Sequence, residues 1–356
     1  MQRRKSRKVT AGRVAMGGGA PITIQSMTNT DTRNVEATLA QIHALAKAGC
    51  DIVRCTVPDR EAAQALRAIK DGCPMPLVAD IHFDHRLAML AMENGADKVR
   101  INPGNIGGPK KVRELTACAK AHGVPIRIGV NAGSLERALY EKHGGATPKA
   151  MVESALSHAA LLEAEGFYDI VISLKASSVQ DTVAAYEAMA AVCPYPLHIG
   201  VTEAGSGAAG LVKSAAGLGI LLHEGIGDTL RVSLTGEPVQ EVEAARLLLR
   251  AMGLRREGTE IISCPTCGRT GFDLLPVVRR VEAALPKDGP YLKVAVMGCV
   301  VNGPGEAMDA DVGIAFGGGK GVLFAGGEKL GTFSQEQAIE TLIEEAKRRL
   351  GQAAQR

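Results

Sequence analysis

Tryptophan is absent from this 356-residue chain, and aromatic residues together make up only 3% of it. A protein that holds single strands by base stacking needs aromatic platforms, so that mode of nucleic-acid binding is disfavoured. The two signs of charge nearly cancel. The formal net charge is +3, too little to argue for a polyanion-binding protein. No apolar run approaches the ~20 residues that span a bilayer. The start, Met1-Gln-Arg-Arg-Lys-Ser-Arg-Lys8, is basic, and Val9–Gly19 after it is no signal-peptide core. The basic run reads as a solvated, partly disordered tail, and the chain as cytoplasmic, where its eight cysteines stay reduced unless they hold metal. A last absence is local. Beyond residue 252 there is no histidine, and the cysteines there are Cys264, Cys267 and Cys299.

Hydrophobic residues make up 46% and charged residues 22% of the chain, a globular composition. The length exceeds one typical core, although a (β/α)8 barrel uses about 250 residues as a single domain. Up to about residue 252 the chain repeats one unit: a β-rich run, an Ala/Leu-rich amphipathic stretch, then a Gly or Pro break. The runs are Ile22–Thr28, Asp51–Val57, Pro76–His82, Lys98–Asn105, Pro125–Asn131, Asp169–Ser177, Pro196–Gly205 and Thr229–Pro238. In the first helical stretch Val35, Leu39, Ile42, Leu45 and Ala46 share a face, and Gly49 ends it. Gly17–Gly19 precedes the first run, on the wrong side for the phosphate loop of a doubly wound sheet. The expected fold is therefore a (β/α)8 TIM-type barrel over residues 1–252, followed by a small α+β domain over 253–356, with a linker at about 253–259.

In such barrels the chemistry sits where strands end. The polar residues there are Arg54; Asp80 and His82; Arg100 and Asn102; Arg127 and Asn131; Ser173 and Lys175; Glu203; and Arg231, Ser233 and Thr235. Within each run they share parity, so they share a face, while the alternate Val, Ile and Leu positions pack on the helices. Four arginines and a lysine, offset by Asp80 and Glu203, are too much positive charge to bury unless an anion arrives. Arginine suits bidentate recognition of oxygen anions, so the mouth reads as a site for a phosphate or diphosphate.

The second domain is expected to contain strands at Glu260–Ser263, Tyr291–Met297, Asp311–Phe316 and Val322–Phe324. Helices are expected at Phe272–Leu285 and from Ser334 onward, and Asn302–Gly305 as a turn that swings Glu306 toward Cys299. Cys264 and Cys267 form a CxxC pair just after the first of these strands, and Cys299 follows the second. Three thiolates with a carboxylate as fourth candidate suit an iron–sulfur cluster with one exchangeable iron. Zinc usually closes its tetrahedron with a fourth Cys or His. A Cys3Glu zinc site or a redox dithiol stays open on the ligand set alone. Cys50, Cys55, Cys73, Cys118 and Cys193 are scattered singly and read as small packing residues.

Several motifs occur in order along both halves. They are Gln25-Ser-Met-Thr-Asn-Thr-Asp-Thr32, Ile101-Asn-Pro-Gly-Asn105, Gly129-Val-Asn-Ala-Gly-Ser-Leu-Glu136, His198-Ile-Gly-Val-Thr-Glu-Ala-Gly205, Gly227-Asp-Thr-Leu-Arg-Val-Ser-Leu-Thr-Gly236 and the two cysteine motifs. Together they resemble the 4-hydroxy-3-methylbut-2-enyl diphosphate synthase family in its two-domain bacterial form, from about Ala20 to Phe333. The resemblance implies a [4Fe–4S] cluster on Cys264, Cys267, Cys299 and Glu306. It implies reductive ring opening and dehydroxylation of 2-C-methyl-D-erythritol 2,4-cyclodiphosphate in isoprenoid biosynthesis, with electrons from flavodoxin or ferredoxin, and a homodimer. By motif, Arg54, Arg100, Asn102, Arg127, Asn131, Lys175, Arg231 and Ser233 would bind substrate, with Asp80 and His82 at the same mouth. Glu203 would deliver a proton to the departing hydroxyl, and Glu306 would give up its place to substrate. The barrel half also resembles pterin-binding synthases, so the alternative is a pterin-binding-type transferase with a structural zinc site. The cysteine domain argues against it.

Overall fold

The computed structural model describes residues 2–82, 84–101 and 108–355. The chain divides into two compact units, Met1–Met252 and Gly253–Arg356. Among the described residues no helix is long and apolar enough to cross a membrane.

The first unit opens with a hairpin, β1 (Val9–Ala11) and β2 (Val14–Met16). Eight strands follow: β3 (Thr23–Met27), β4 (Ile52–Thr56), β5 (Leu77–Asp80), β6 (Lys98–Ile101), β7 (Ile126–Asn131), β8 (Ile170–Lys175), β9 (His198–Ile199) and β10 (Thr229–Leu230). They pair in parallel in the order β8-β7-β6-β5-β4-β3-β10-β9, and a parallel bridge between Ile172 and Leu197 brings the two ends of the sheet together. Sequential strands are thus neighbours all the way round, the singly wound (β/α)8 arrangement. The last two strands are shorter than their sequence runs suggest, two residues each. Arg231 and Ser233 therefore lie beyond regular pairing, in the chain that leaves β10.

Local chemistry explains the helices. Asn34 accepts from the Ala37 N–H at 3.1 Å and Asp59 from the Ala62 N–H at 2.9 Å, capping Val35–Lys47 and Arg60–Gly72. Gly49 follows the first of these at φ +93°, where a Cβ would also press on Arg246 at 3.0 Å. The alternate strand residues Val53, Cys55, Ala79, Val99, Ile128, Ile172 and Leu174 are fully buried against the helices.

Below the barrel, Val9, Ala11 and Met16 of the hairpin pack on Ile52, Val78 and Val171, the inward residues near the strand starts. The basic start of the chain is docked rather than solvated, contrary to the sequence expectation. Arg3 reaches Asp228 at 3.3 Å and Arg4 reaches it at 3.6 Å, Ser6 Oγ donates to Asp228 at 2.8 Å, and Arg4 also donates to the carbonyls of Cys193 and Tyr195. Arg7 lies over the Tyr168 and Tyr195 rings. Buried Asp228 also accepts the Leu197 N–H at 2.9 Å, so one carboxylate joins the tail to the barrel wall.

The second unit is a five-stranded sheet in sequence order: β11 (Thr259–Ser263), β12 (Leu292–Met297), β13 (Val312–Gly317), β14 (Lys320–Ala325) and β15 (Glu328–Ser334). The first three strands are parallel, and the last three antiparallel, joined by Gly318-Gly319 and Gly326-Gly327. All four glycines have positive φ, as two-residue hairpin turns that match strand twist require. Helices Leu274–Ala284 and Gln335–Ala354 cover one face. The segment expected as a turn starts the helix Gly303–Asp309, where Pro304 fits the first turn because its missing N–H has no intrahelical partner there. That helix covers the other face through Ala307.

The barrel seam predicts its own weak point. Tyr186, fully buried, accepts the Leu174 N–H at 3.0 Å and donates to the His198 carbonyl, tying β8 to β9 where regular pairing is thin. Tyr186→Phe removes both contacts and should lower unfolding stability by roughly 2 kcal/mol, measured as an earlier denaturant midpoint.

Candidate active site

The period-two alternation of the strands delivers the polar residues inward. Arg54 (9% exposed), Asp80 (3%), Arg100 (6%), Arg127 (1%) and Lys175 (7%) are all buried, and the register sets Asp80 beside Arg100 and Arg100 beside Arg127. Asp80 is the hub. Its carboxylate lies 3.1 Å from Arg100 Nη1, 3.7 Å from Arg54 Nε and 3.6 Å from His82 Nε2. Burial alone would raise its pKa, but Arg54 and Arg100, with His82 and Arg127, hold it well below the usual carboxylate range. Burial lowers Arg54 to about 10 against the pull of Asp80.

Two glycines make room for these side chains. A Cβ at Gly129 would lie 2.4 Å from Arg100 Nε, and Arg100 Nη2 donates to the Gly129 carbonyl at 3.3 Å. A Cβ at Gly200 would lie 2.9 Å from Lys175 Nζ. Burial and the surrounding arginines push the Lys175 ammonium well below its ordinary pKa. Arg127 Nε and Nη1 are buried with no hydrogen-bond partner among the described residues.

Several residues here escaped the sequence reading. Glu241, buried on the helix Pro238–Ala251, accepts from Arg231 Nε at 3.1 Å and Nη2 at 3.0 Å, from Ser26 Oγ at 3.0 Å and from the Leu234 N–H at 3.1 Å. Arg231 is thus compensated by a helix carboxylate that the strand pattern does not reveal. Lys98 is fully buried one step below Arg100, its Nζ 3.3 Å from Met16 Sδ. Its parity with Arg100 was the available signal. Gln25 and His198 complete the inward set, with both Gln25 amide atoms and His198 Nε2 unpartnered among the described residues.

Of the remaining expected residues, Asn131 at the end of β7 and Ser233 beyond β10 are half-buried, and Ser173 is buried. His82 is 43% exposed at its side chain. Asn102 lies outside the described residues. Glu203 is exposed at φ +51°, the one non-glycine with positive φ among the described residues. A left-handed glutamate carries backbone strain, which tends to mark functional positions.

In the second unit Cys264 follows β11 and Cys299 lies two residues past β12. Cys264 Sγ accepts the Gly298 N–H at 3.1 Å. The Arg269 N–H and guanidinium lower the Cys267 pKa, and the N–H groups of Asn302 and Val301, with Gly303 and the Arg269 charge, lower that of Cys299. Phe272, packed edge-on against Phe316 at 4.7 Å, anchors the loop after the CxxC pair. Glu306 is exposed in the first turn of Gly303–Asp309. No group of three Cys, His, Asp or Glu among the described residues is close enough to hold a single metal ion. Thiols that are lowered toward thiolate and backed by N–H donors have the donor chemistry an iron–sulfur group needs.

Residues 6–246 match the GcpE TIM-barrel domain, and residues 260–348 match the GcpE protein C-terminal domain. The chain belongs to the GcpE family. A relative from Lawsonia intracellularis is 58% identical over 344 residues, covering 96% of each chain. One from Geobacter sulfurreducens is 56% identical over 348 residues, covering 98% of this chain and 99% of that protein. Both are named 4-hydroxy-3-methylbut-2-en-1-yl diphosphate synthase (flavodoxin). The family expected from the motifs is therefore borne out, as is the barrel-plus-α+β fold. Among solved structures, a dihydropteroate synthase of Xanthomonas albilineans aligns with TM-score 0.48 and 13% identity over 70% of this chain and 97% of that one. At that distance it is a remote neighbour of the GcpE barrel and carries no functional weight.

Two outcomes follow from this site. Glu241→Ala strands the Arg231 guanidinium without its carboxylate and should cost about 3 kcal/mol, read as a denaturant midpoint, with Glu241→Gln milder. Burial first, then Arg127, Lys175, Lys98 and Arg54, hold His198 well below its ordinary 6.5. Below pH 6.5 the unfolded chain therefore binds a proton that the folded chain refuses, so stability should rise with pH up to about 6.5 and then level off. The slope from this one group is at most about 1.4 kcal/mol per pH unit. His198→Gln should remove that share of the slope in unfolding curves compared between pH 5 and 7.5.

Proposed function

We propose that this chain converts 2-C-methyl-D-erythritol 2,4-cyclodiphosphate to (E)-4-hydroxy-3-methylbut-2-enyl diphosphate, with two electrons from a flavodoxin. The observation that carries this reading is the excess of buried positive charge in the barrel. Asp80 is shared by Arg54, Arg100 and His82, while Arg127 has buried donors left over. A diphosphate supplies the missing anion. Relatives at more than half identity over nearly their whole length bear the matching name.

In this reading the barrel unit binds substrate. Arg54, Arg100, Arg127, Lys175 and Arg231 grip the diphosphate, with Asn102, Asn131 and Ser233 fixing its orientation and Asp80 and His82 keeping the guanidiniums aligned. Glu203 delivers a proton to the departing hydroxyl, which leaves as water. Cys264, Cys267 and Cys299, with Glu306 as fourth ligand, hold a [4Fe–4S] cluster in the second unit. When bound, that cluster supplies electrons singly at low potential. The two electrons break the ring C–O bond to phosphate and the C–OH bond, leaving a carbon–carbon double bond and an open-chain diphosphate. The family resemblance also implies a homodimer.

The test is anaerobic purification with iron and sulfide analysis, then supply of the cyclodiphosphate with a low-potential reductant. The wild type should be coloured and should form the open-chain product. Cys299→Ala should lose the visible absorption, and Glu203→Gln should keep it while losing about 100-fold in turnover. A colourless, zinc-loaded and inactive wild type removes the reading.

A further inference from the structure

Met27 closes β3 at the barrel mouth, half-buried, with the same inward parity as Gln25. Its sulfur receives two guanidiniums. Sδ lies 3.1 Å from Arg54 Nε, 2.8 Å from Arg54 Nη2 and 3.6 Å from Arg231 Nη1. Arg54 lies on β4 and Arg231 on the chain that leaves β10, and both turn an edge toward a neutral thioether. The Arg54 carboxylate partner, Asp80, stands further off at 3.7 Å, and Glu241 takes the opposite edge of Arg231.

A thioether is a weak acceptor on a flexible, unbranched stem. A guanidinium bound to a charged oxygen is held about twice as strongly as in a neutral pair. The sulfur therefore aligns the two cations without competing seriously with a phosphate oxygen, and its rotatable chain can withdraw as the anion enters. An amide oxygen in the same place would hold the guanidiniums against the incoming ligand. A purely aliphatic side chain would fill the space and hold nothing.

We propose that Met27 is a positioning residue of the anion site, a displaceable placeholder that keeps the guanidiniums of Arg54 and Arg231 converged until the diphosphate of the substrate replaces it. This rests on the diphosphate reading above, and it adds a residue that is neither a cation nor a proton carrier.

The test compares Met27→Leu and Met27→Gln, both close to methionine in volume, in the anaerobically purified enzyme. Iron and sulfide content and the thermal midpoint serve as controls. Met27→Gln should raise KM for the cyclodiphosphate by about tenfold with kcat nearly unchanged, the signature of lost ground-state binding. Met27→Leu should raise KM by no more than about threefold. A wild-type KM in Met27→Gln overturns the proposal. So does an equal rise in both variants, since that marks a packing role. Calorimetric titration of the same enzymes with inorganic diphosphate separates this from the choice of substrate. If the wild type fails to turn over the cyclodiphosphate yet binds diphosphate in the order wild type, Leu, Gln, the proposed reaction falls and the role of Met27 stands. No diphosphate binding by the wild type overturns both.

Discussion

The burial of several cations around one carboxylate is the constraint on which the barrel depends. Asp80 cannot neutralise Arg54, Arg100 and Arg127 together, and Lys98 and Lys175 lie in the same interior. Uncompensated buried charge is among the costliest features a fold can carry. It persists here because the surrounding structure holds it: Gly129 and Gly200 leave space for Arg100 and Lys175, and Glu241 takes Arg231 from outside the strand pattern. The balance left over is positive charge, which a bound oxygen anion would offset.

The two ends of the barrel divide the work. At the strand starts, a hairpin packs apolar residues under the sheet, and the docked basic tail converges on Asp228. That end is closed by burial and ion pairs. At the strand ends the inward residues are cations with spare donors, and the one strained glutamate among the described residues sits on the loop after β9. Stability at one end and chemistry at the other is the usual division in this architecture.

The second unit offers the opposite kind of ligand chemistry. Its thiols are soft donors, and the loops around them contribute N–H groups from Gly298, Arg269, Val301 and Asn302 rather than carboxylates. Backbone donors favour the thiolate form and temper the charge of a bound group. A hard-anion pocket in one unit and a soft-ligand cradle in the other suit a reaction that must both bind a diphosphate and deliver electrons.

Much of this was legible in the amino-acid order because strands have a strict period of two. Strand parity assigns Arg54, Asp80, Arg100, Arg127 and Lys175 to one face, and eight repeats of the unit imply a barrel. The CxxC pair and Cys299 stood out because that half has no histidine and no other cysteine. What spacing does not encode is contact between elements distant in the chain. Glu241 reads as an ordinary helix acid until helix packing brings it to Arg231, and Met27 reads as core until two guanidiniums turn to its sulfur. The basic tail reads as solvated until Asp228 and two backbone carbonyls receive it. Sequence alone determined the eight barrel strands and the inward face of the residues expected on them, since both follow from local periodicity. Only the tertiary structure decided which charges are paired and which are left for a ligand, because charge compensation depends on distances that strand register and helix packing set together.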